Sequence, residues 1–176
     1  TEWTNDKITT TVETKLTEYI LQYQIDATSN TILDDTKWIN YTEAIVSEKN
    51  EVIYIRLWDG VNSGQITSQE ITKIDTDIPN DANILLSARK VEPTQEVKAQ
   101  VALSDNESDV KITSSKWIWT DSEDEVGLDE SAYTGGTFSS NGQTITLEAT
   151  ELGTYYLHVL TTDNAGNVKE TISSGI

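Results

Sequence analysis

The chain of 176 residues contains no cysteine and no methionine, and it has a single histidine and a single phenylalanine. Without cysteine it can form neither disulfides nor thiolate metal sites, and it has no cysteine nucleophile. The sequence also lacks an apolar signal region and any apolar run long enough to cross a membrane as a helix. We expect it to be a piece of a longer polypeptide, with any export signal or anchor outside it.

Basic residues are scarce. Twelve lysines and arginines stand against 30 aspartates and glutamates, which leaves a net charge of −18. Residues 1–76 carry −7 of this charge and residues 77–176 carry −11. A strongly negative surface repels nucleic acid and anionic lipid, so we expect neither as a partner. The charge favours solubility and resistance to association; the alternative is a set of weak sites for hard cations such as Ca²⁺.

One β-rich run in each half of the chain ends in a turn sequence. The first is VIYIRLWDGVNSG and the second is YYLHVLTTDNAGN. Asp59 and Asp163 therefore mark equivalent corners, about one small β-domain apart. Threonine is abundant and is joined by other β-branched residues, which suit a pleated surface. The repetition predicts two small β-domains in tandem.

Alternation of apolar and polar residues supports this organisation. Tyr19 to Ile25 and Val97 to Leu103 are clear examples, and such alternation is typical of half-buried strands. Between the halves, Pro79 favours a short, stiff connection. We predict an all-β chain of two antiparallel β-sandwiches, residues 1–76 and residues 77–176.

Two local patterns in the second half predict particular structures. Asn141-Gly142 is a strong hairpin signal, because it accepts the positive φ values of a type I′ turn. The pattern acid-x-Gly-x-Tyr at residues 151–155 leads into a penultimate strand, where a tyrosine can hydrogen-bond back to the preceding corner of a Greek-key sandwich. We predict this role for Tyr155, with Leu157 in the core and Trp117 packed opposite.

Segments in both halves carry a resemblance to a known family. In the first half these are YQID, KWINY, and IYIRLWDGVNSG running on to ITKID; in the second they are Trp117 and Trp119, LGTYYLHVL, and TDNAGN. Together they resemble the bacterial immunoglobulin-like (Big-type) repeats of Firmicute cell-surface and secreted proteins. The resemblance covers nearly the whole chain and implies two tandem immunoglobulin-like sandwiches. The linker DTDIPNDAN departs from the pair of threonines that more often precedes proline in such arrays.

His158 is the only histidine of the chain and therefore the only histidine base available to a serine nucleophile. It falls in the middle of a predicted strand, where we expect it to point outward, into solvent or against a cross-strand partner. A serine nucleophile needs a base and an orienting helper, and the sequence has no G-x-S-x-G elbow, Gly-rich phosphate loop or HExxH motif. We predict no catalytic residue and no enzyme activity.

Acidic residues crowd the predicted junction. Asp75, Asp77 and Asp81 are close in sequence, and carboxylates are ligands that Ca²⁺ prefers. The main interpretation is a solvated linker and no cofactor; the alternative is one structural calcium ion held by these three residues. The calcium hypothesis predicts that added millimolar Ca²⁺ raises the melting temperature, and that Asp75→Ala and Asp77→Ala abolish the rise. Unchanged melting would remove it. A second acidic stretch, Asp121 to Glu130, lacks the spacing of an EF-hand.

Five tryptophans and seven tyrosines invite a carbohydrate-binding hypothesis, since sugars stack on exposed aromatic rings. Core packing accounts for most aromatic residues in small sandwiches. Trp117 and Trp119 alternate onto one face of a strand, which favours the core. Trp38 and Trp58 are the alternative, an exposed platform for a glycan ligand.

The sequence and the resemblance together favour a non-catalytic stalk or spacer of a large bacterial protein, at the cell surface or secreted. Its partners would be the neighbouring domains of the same polypeptide. The second hypothesis is a module that binds a cell-wall or host glycan, or a host protein. The third is an accessory domain of a secreted hydrolase. Exposed, coplanar aromatic rings would support binding, and buried rings would support the spacer.

Overall fold

The computed structural model describes residues 2–29 and 32–176. In this part of the chain the regular structure is strands in antiparallel sheets, together with two single-turn 3₁₀-helices. The all-β prediction is confirmed. The chain divides into two compact units, Thr1–Thr76 and Asp77–Ile176.

The first unit has a two-stranded and a four-stranded sheet. The larger sheet has the strand order β3-β2-β5-β6, and the smaller pairs β1 with β4. The longest pairing joins β2 to β5, with Leu21 opposite Leu57 and Ile25 opposite Ile53. The strands are β1 (Ile8–Thr10), β2 (Ile20–Asp26), β3 (Ile39–Asn40), β4 (Ile45–Ser47), β5 (Glu51–Trp58) and β6 (Thr67–Ile71).

The core of the first unit comes from the alternation seen in the sequence. Ile53 is fully buried, with Tyr23 and Ile55 packed against the same cluster. Because successive side chains of a strand point to opposite faces, Gln22 and Arg56 lie on the other face of the sheet, directly opposite each other. That second face also carries Trp58, two residues after Arg56 on β5.

The second unit has a three-stranded sheet of order β11-β8-β7 and a four-stranded sheet of order β10-β9-β12-β13. Strand β12 lies between β9 and β13, so its residues are buried almost without interruption. The strands are β7 (Asn83–Leu86), β8 (Glu96–Ala102), β9 (Lys116–Thr120), β10 (Gly136–Thr137), β11 (Thr144–Glu148), β12 (Tyr156–Thr162) and β13 (Val168–Ile172).

The core of the second unit gathers residues from both of its sheets. Phe138, the single phenylalanine, is buried there with Leu157 and Val159. Trp117 and Trp119 pack against the cluster from β9, as the sequence predicted. All members of this cluster belong to the second unit, and all members of the first cluster belong to the first.

The turns after β5 and β12 are built alike. Oδ1 of Asp59 accepts hydrogen bonds from the amides of Val61 and Asn62. Oδ1 of Asp163 accepts from the amides of Gly166 and Asn167. In each turn the asparagine side-chain amide donates to the second oxygen of the aspartate. The corners that the sequence marked as equivalent have the same chemistry, with side chains closing the turn.

One corner prediction is confirmed and one turn prediction is wrong. The Tyr155 hydroxyl donates to the carbonyl of Glu151 at 2.9 Å, so Tyr155 closes its corner as expected. Asn141-Gly142 does not join a hairpin, because β10 and β11 lie in different sheets. Instead the Asn141 side chain bonds both the amide and the carbonyl of Leu103. The turn carries the chain from one sheet to the other.

Candidate functional sites

Trp38 and Trp58 lie on either side of one guanidinium group. Cζ of Arg56 is 4.2 Å from the centroid of Trp38 and 4.8 Å from that of Trp58. Both distances are within the range of cation–π attraction. Arg56 is held at the centre of β5, and Trp58 follows two residues later on the same face of that strand.

Two further contacts fix the guanidinium of Arg56. Nε donates to Oε1 of Gln22 at 2.9 Å, and Nη1 donates to Oδ1 of Asp35 at 3.2 Å. The Arg56 side chain is only 7% exposed, although it lies outside the core. One face of each tryptophan is therefore occupied by arginine. The two rings do not form the pair of coplanar, open faces that the platform hypothesis requires.

A cleft of about 470 Å³ lies beside Trp38. It is lined by Tyr23, Gln24 and Ile25 of β2 and by Thr36, Lys37, Trp38 and Ile39. Trp58 does not line this cleft. The structure thus separates the two tryptophans that the sequence grouped together: both contact Arg56, but Trp38 alone contacts the cleft.

His158 is fully buried, which corrects the expectation that it faces outward into solvent. Its Nδ1 lies 2.8 Å from Oε1 of Glu170 on β13. Its Nε2 lies 2.9 Å from the carbonyl of Ser122 and 2.9 Å from Oγ1 of Thr120. Glu170 is therefore the cross-strand partner that the sequence predicted. The ring is buried because the acidic segment after β9 folds back and contacts it through Ser122.

Glu170 joins the same segment to the sheet. Its Oε1 accepts the amide of Val126 at 2.9 Å, and its Oε2 accepts the amide of Gly127 at 3.0 Å. Burial raises the pKa of Glu170, but the bonds from Val126, His158 and Gly127 outweigh it and hold the pKa below its usual value. Burial, together with the charge of Glu170, also raises the pKa of Tyr133, so this phenol stays protonated.

Both ring nitrogens of His158 are engaged, Nδ1 by the Glu170 carboxylate and Nε2 by the carbonyl of Ser122 and the hydroxyl of Thr120. The buried ring therefore connects strand β13 to the segment that follows β9. We call this set, made of Ser122, Val126, Gly127, His158 and Glu170, the histidine latch.

Thr120, His158 and Glu170 contact one another in sequence, as the nucleophile, base and acid of a catalytic triad do. The arrangement cannot work as a triad. The Thr120 hydroxyl donates to the carbonyl of Ser122 at 2.7 Å, so its proton is not directed at the ring. His158 has no solvent exposure from which to reach a substrate. The set holds a loop in place.

The residues proposed for calcium fall in both units. Asp75 is buried in the first unit, and Asp77 is exposed in the second. The carboxylate of Asp81 is 2.8 Å from Nζ of Lys169, so it already has a cationic partner. The calcium hypothesis stays a prediction.

Within the second unit, Asp105 lies close to Asp163, a proximity that the sequence did not indicate. An oxygen of each carboxylate lies within 4.8 Å of the other. Asp105 uses Oδ2 to accept three backbone amides, from Glu107, Ser108 and Asp109. The two carboxylates are thus engaged in shaping their own turns.

Comparisons with known proteins do not assign this chain to a family. No protein-family model matches it, and no curated protein matches it either. Among the described residues, no helix has the length and hydropathy to cross a membrane.

Proposed function

We propose that this chain is a non-catalytic, tension-bearing spacer made of two tandem immunoglobulin-like sandwiches in a secreted or surface-attached bacterial protein. The observation that carries the proposal is the contact between the first and last segments of the first unit. Its first and last segments lie side by side and run in the same direction, where Thr4 pairs with Ile74.

The closure of the first unit consists of two backbone hydrogen bonds. The amide of Thr4 donates to the carbonyl of Lys73 at 2.9 Å, and the amide of Asp75 donates to the carbonyl of Thr4 at 3.0 Å. A force applied to the two ends of the unit pulls parallel segments past each other, so both bonds resist together. Antiparallel ends would instead separate one bond at a time.

In the second unit, side-chain contacts hold the first segment to the last strand. The amide of Ala82 donates to Oγ1 of Thr171, and the carboxylate of Asp81 pairs with Lys169. Separating the two ends of this unit requires both contacts to break.

Strand order supports the immunoglobulin-like part of the proposal. In the first unit β1 pairs with β4 beside a β3-β2-β5-β6 sheet, and in the second β8 pairs with β11 beside a β10-β9-β12-β13 sheet. Two facing antiparallel sheets and a tyrosine corner before the penultimate strand are marks of that fold. The buried latch supports the non-catalytic part, because it engages the single histidine structurally.

Single-molecule pulling of the whole chain tests the proposal. Thr4→Pro removes the amide that donates to Lys73, and we expect the first unit to unfold roughly tenfold faster under load. Thr4→Val is the matched control, since it keeps both backbone bonds and loses only the bond from the Asp6 amide to the Thr4 hydroxyl. Equal unfolding rates for the proline and valine variants would contradict a mechanical role for this closure.

A further inference from the structure

Two of the residues that line the cleft beside Trp38, Gln24 and Trp38 itself, each have a polar side-chain atom that the fold leaves without a partner. Among the described residues, neither Oε1 of Gln24 nor Nε1 of Trp38 has a hydrogen-bond partner, and both atoms are buried. A buried polar group without a partner costs about 1–3 kcal/mol. Native proteins keep few of them, so each one calls for an explanation.

The two atoms have complementary chemistry. Gln24 offers an acceptor and Trp38 offers a donor. The remaining lining residues are Tyr23, Ile25 and Ile39, together with the polar Thr36 and Lys37. Pockets of roughly 300–1,000 Å³ with apolar walls and a few polar groups are typical of small-molecule sites. The volume of about 470 Å³ lies within that range.

The chemistry of the walls selects the class of ligand. A pyranose has an apolar face of C–H groups for aromatic rings, and each of its hydroxyls is both a donor and an acceptor. It can therefore satisfy Gln24 and Trp38 together while stacking on the indole. The net charge of −18 repels anionic ligands, which favours a neutral sugar over an acidic one.

We propose that this cleft binds one end of a neutral, pyranose-containing oligosaccharide, with Trp38 and Gln24 as its polar contacts. Arg56 lies against one face of the Trp38 ring and so fixes the orientation of the indole on which the sugar stacks. Trp58 supports the same arginine from the other side and makes no contact with the ligand. The site does not depend on the proposed mechanical function.

The test is a titration of the whole chain with cellotetraose and with chitotetraose, followed through the tryptophan indole N–H signals in NMR spectra. We expect the Trp38 signal to shift and the Trp58 signal to stay in place. Trp38→Phe keeps an aromatic ring and loses the donor, and Gln24→Leu loses the acceptor. Each should weaken binding roughly tenfold, the usual effect of losing one hydrogen bond of about 1.4 kcal/mol.

The melting temperature distinguishes a residue that contacts the ligand from a residue that only stabilises the fold. Because Nε1 of Trp38 has no partner among the described residues, Trp38→Phe removes no hydrogen bond from the fold and keeps a ring against Arg56. It should therefore weaken binding with only a small loss of melting temperature. Trp3→Phe is the matched control, since Trp3 does not line the cleft, and it should bind as the unmodified chain does. The proposal is overturned if neither sugar shifts the Trp38 signal, if Trp3→Phe weakens binding equally, or if only an extended peptide occupies the cleft.

Discussion

Replacing Glu170 by leucine is expected to lower the free energy of unfolding of the second unit by about 3–5 kcal/mol, because several buried polar groups lose their partner at once. Its side chain is only 6% exposed and faces His158 at 2.8 Å. Removing the carboxylate leaves Nδ1 of the fully buried His158 without its partner. The same change also takes the acceptors from the amides of Val126 and Gly127.

The loss of stability should appear first in residues 121–127, the segment that the histidine latch holds in place. Hydrogen exchange at Val126 and Gly127 reports it directly, since their amides donate to the missing carboxylate. Glu96→Leu is the control, because Glu96 is an exposed glutamate on strand β8; it should change stability by no more than about 0.5 kcal/mol. Equal effects for the two variants would show that the latch does not stabilise the unit.

Lowering the pH should destabilise the second unit, as Glu170→Leu does, because protonation removes the charge of Glu170. The pKa of Glu170 is lowered in the folded chain, so its contribution is fully present above its unfolded pKa, roughly 4.3. The contribution is lost as the pH falls through the lower, folded value. We therefore expect the second unit to lose stability below about pH 4, and Glu170→Leu to flatten that dependence. A melting curve that depends on pH equally in both chains would contradict the assignment.

The latch shows where sequence reasoning stops. Alternation along β12 places His158 on the face of the sheet opposite to Leu157, and the structure agrees with that. The sequence does not reveal that residues 121–127 fold back over this face. A loop closes because of contacts between residues that are distant along the chain, here Ser122 with His158, and no local pattern encodes that pairing.

The tryptophans also show which contacts can be predicted from local sequence and which cannot. Period-two alternation placed Trp117 and Trp119 against the core, and the structure confirms it. The same rule could not show that Trp38 and Trp58 share one arginine. Arg56 is the only basic residue in strand β5, and its sequence position close to Trp58 was the one available signal. The approach of Trp38 comes from tertiary structure.

Local turn chemistry was the most predictable part of the chain. The hydrogen bonds of Asp163 and Tyr155 depend on residues within five positions, so the sequence contains nearly all the information required. The hairpin prediction for Asn141-Gly142 was wrong because it depended on more than local sequence. A turn sequence specifies backbone conformation, and Gly142 does have a positive φ of 77°, but it does not specify which sheet receives the next strand.

Replacing Ile53 by alanine is expected to destabilise the first unit by about 2–5 kcal/mol, and Phe138→Ala the second by about 3–5 kcal/mol. Both side chains are almost completely buried, and each belongs to a cluster drawn from one unit. Because each cavity removes contacts within its own cluster, the loss should stay in that unit. Native-state hydrogen exchange of the whole chain resolves this, since peptides from each unit report separately.

For Ile53→Ala, exchange of the β2 and β5 amides should rise roughly a hundredfold, which corresponds to about 2.7 kcal/mol. The amides of β8 and β12 should not change. Ile53→Val removes one methylene and should give a smaller rise in the same places, about 0.5–1.5 kcal/mol. A rise that extends equally to β12 would mean that one cooperative core, not two, holds the chain together. The tension-bearing spacer would then have to resist force as a single body, and the closures at Thr4 and Ala82 would lose their separate roles.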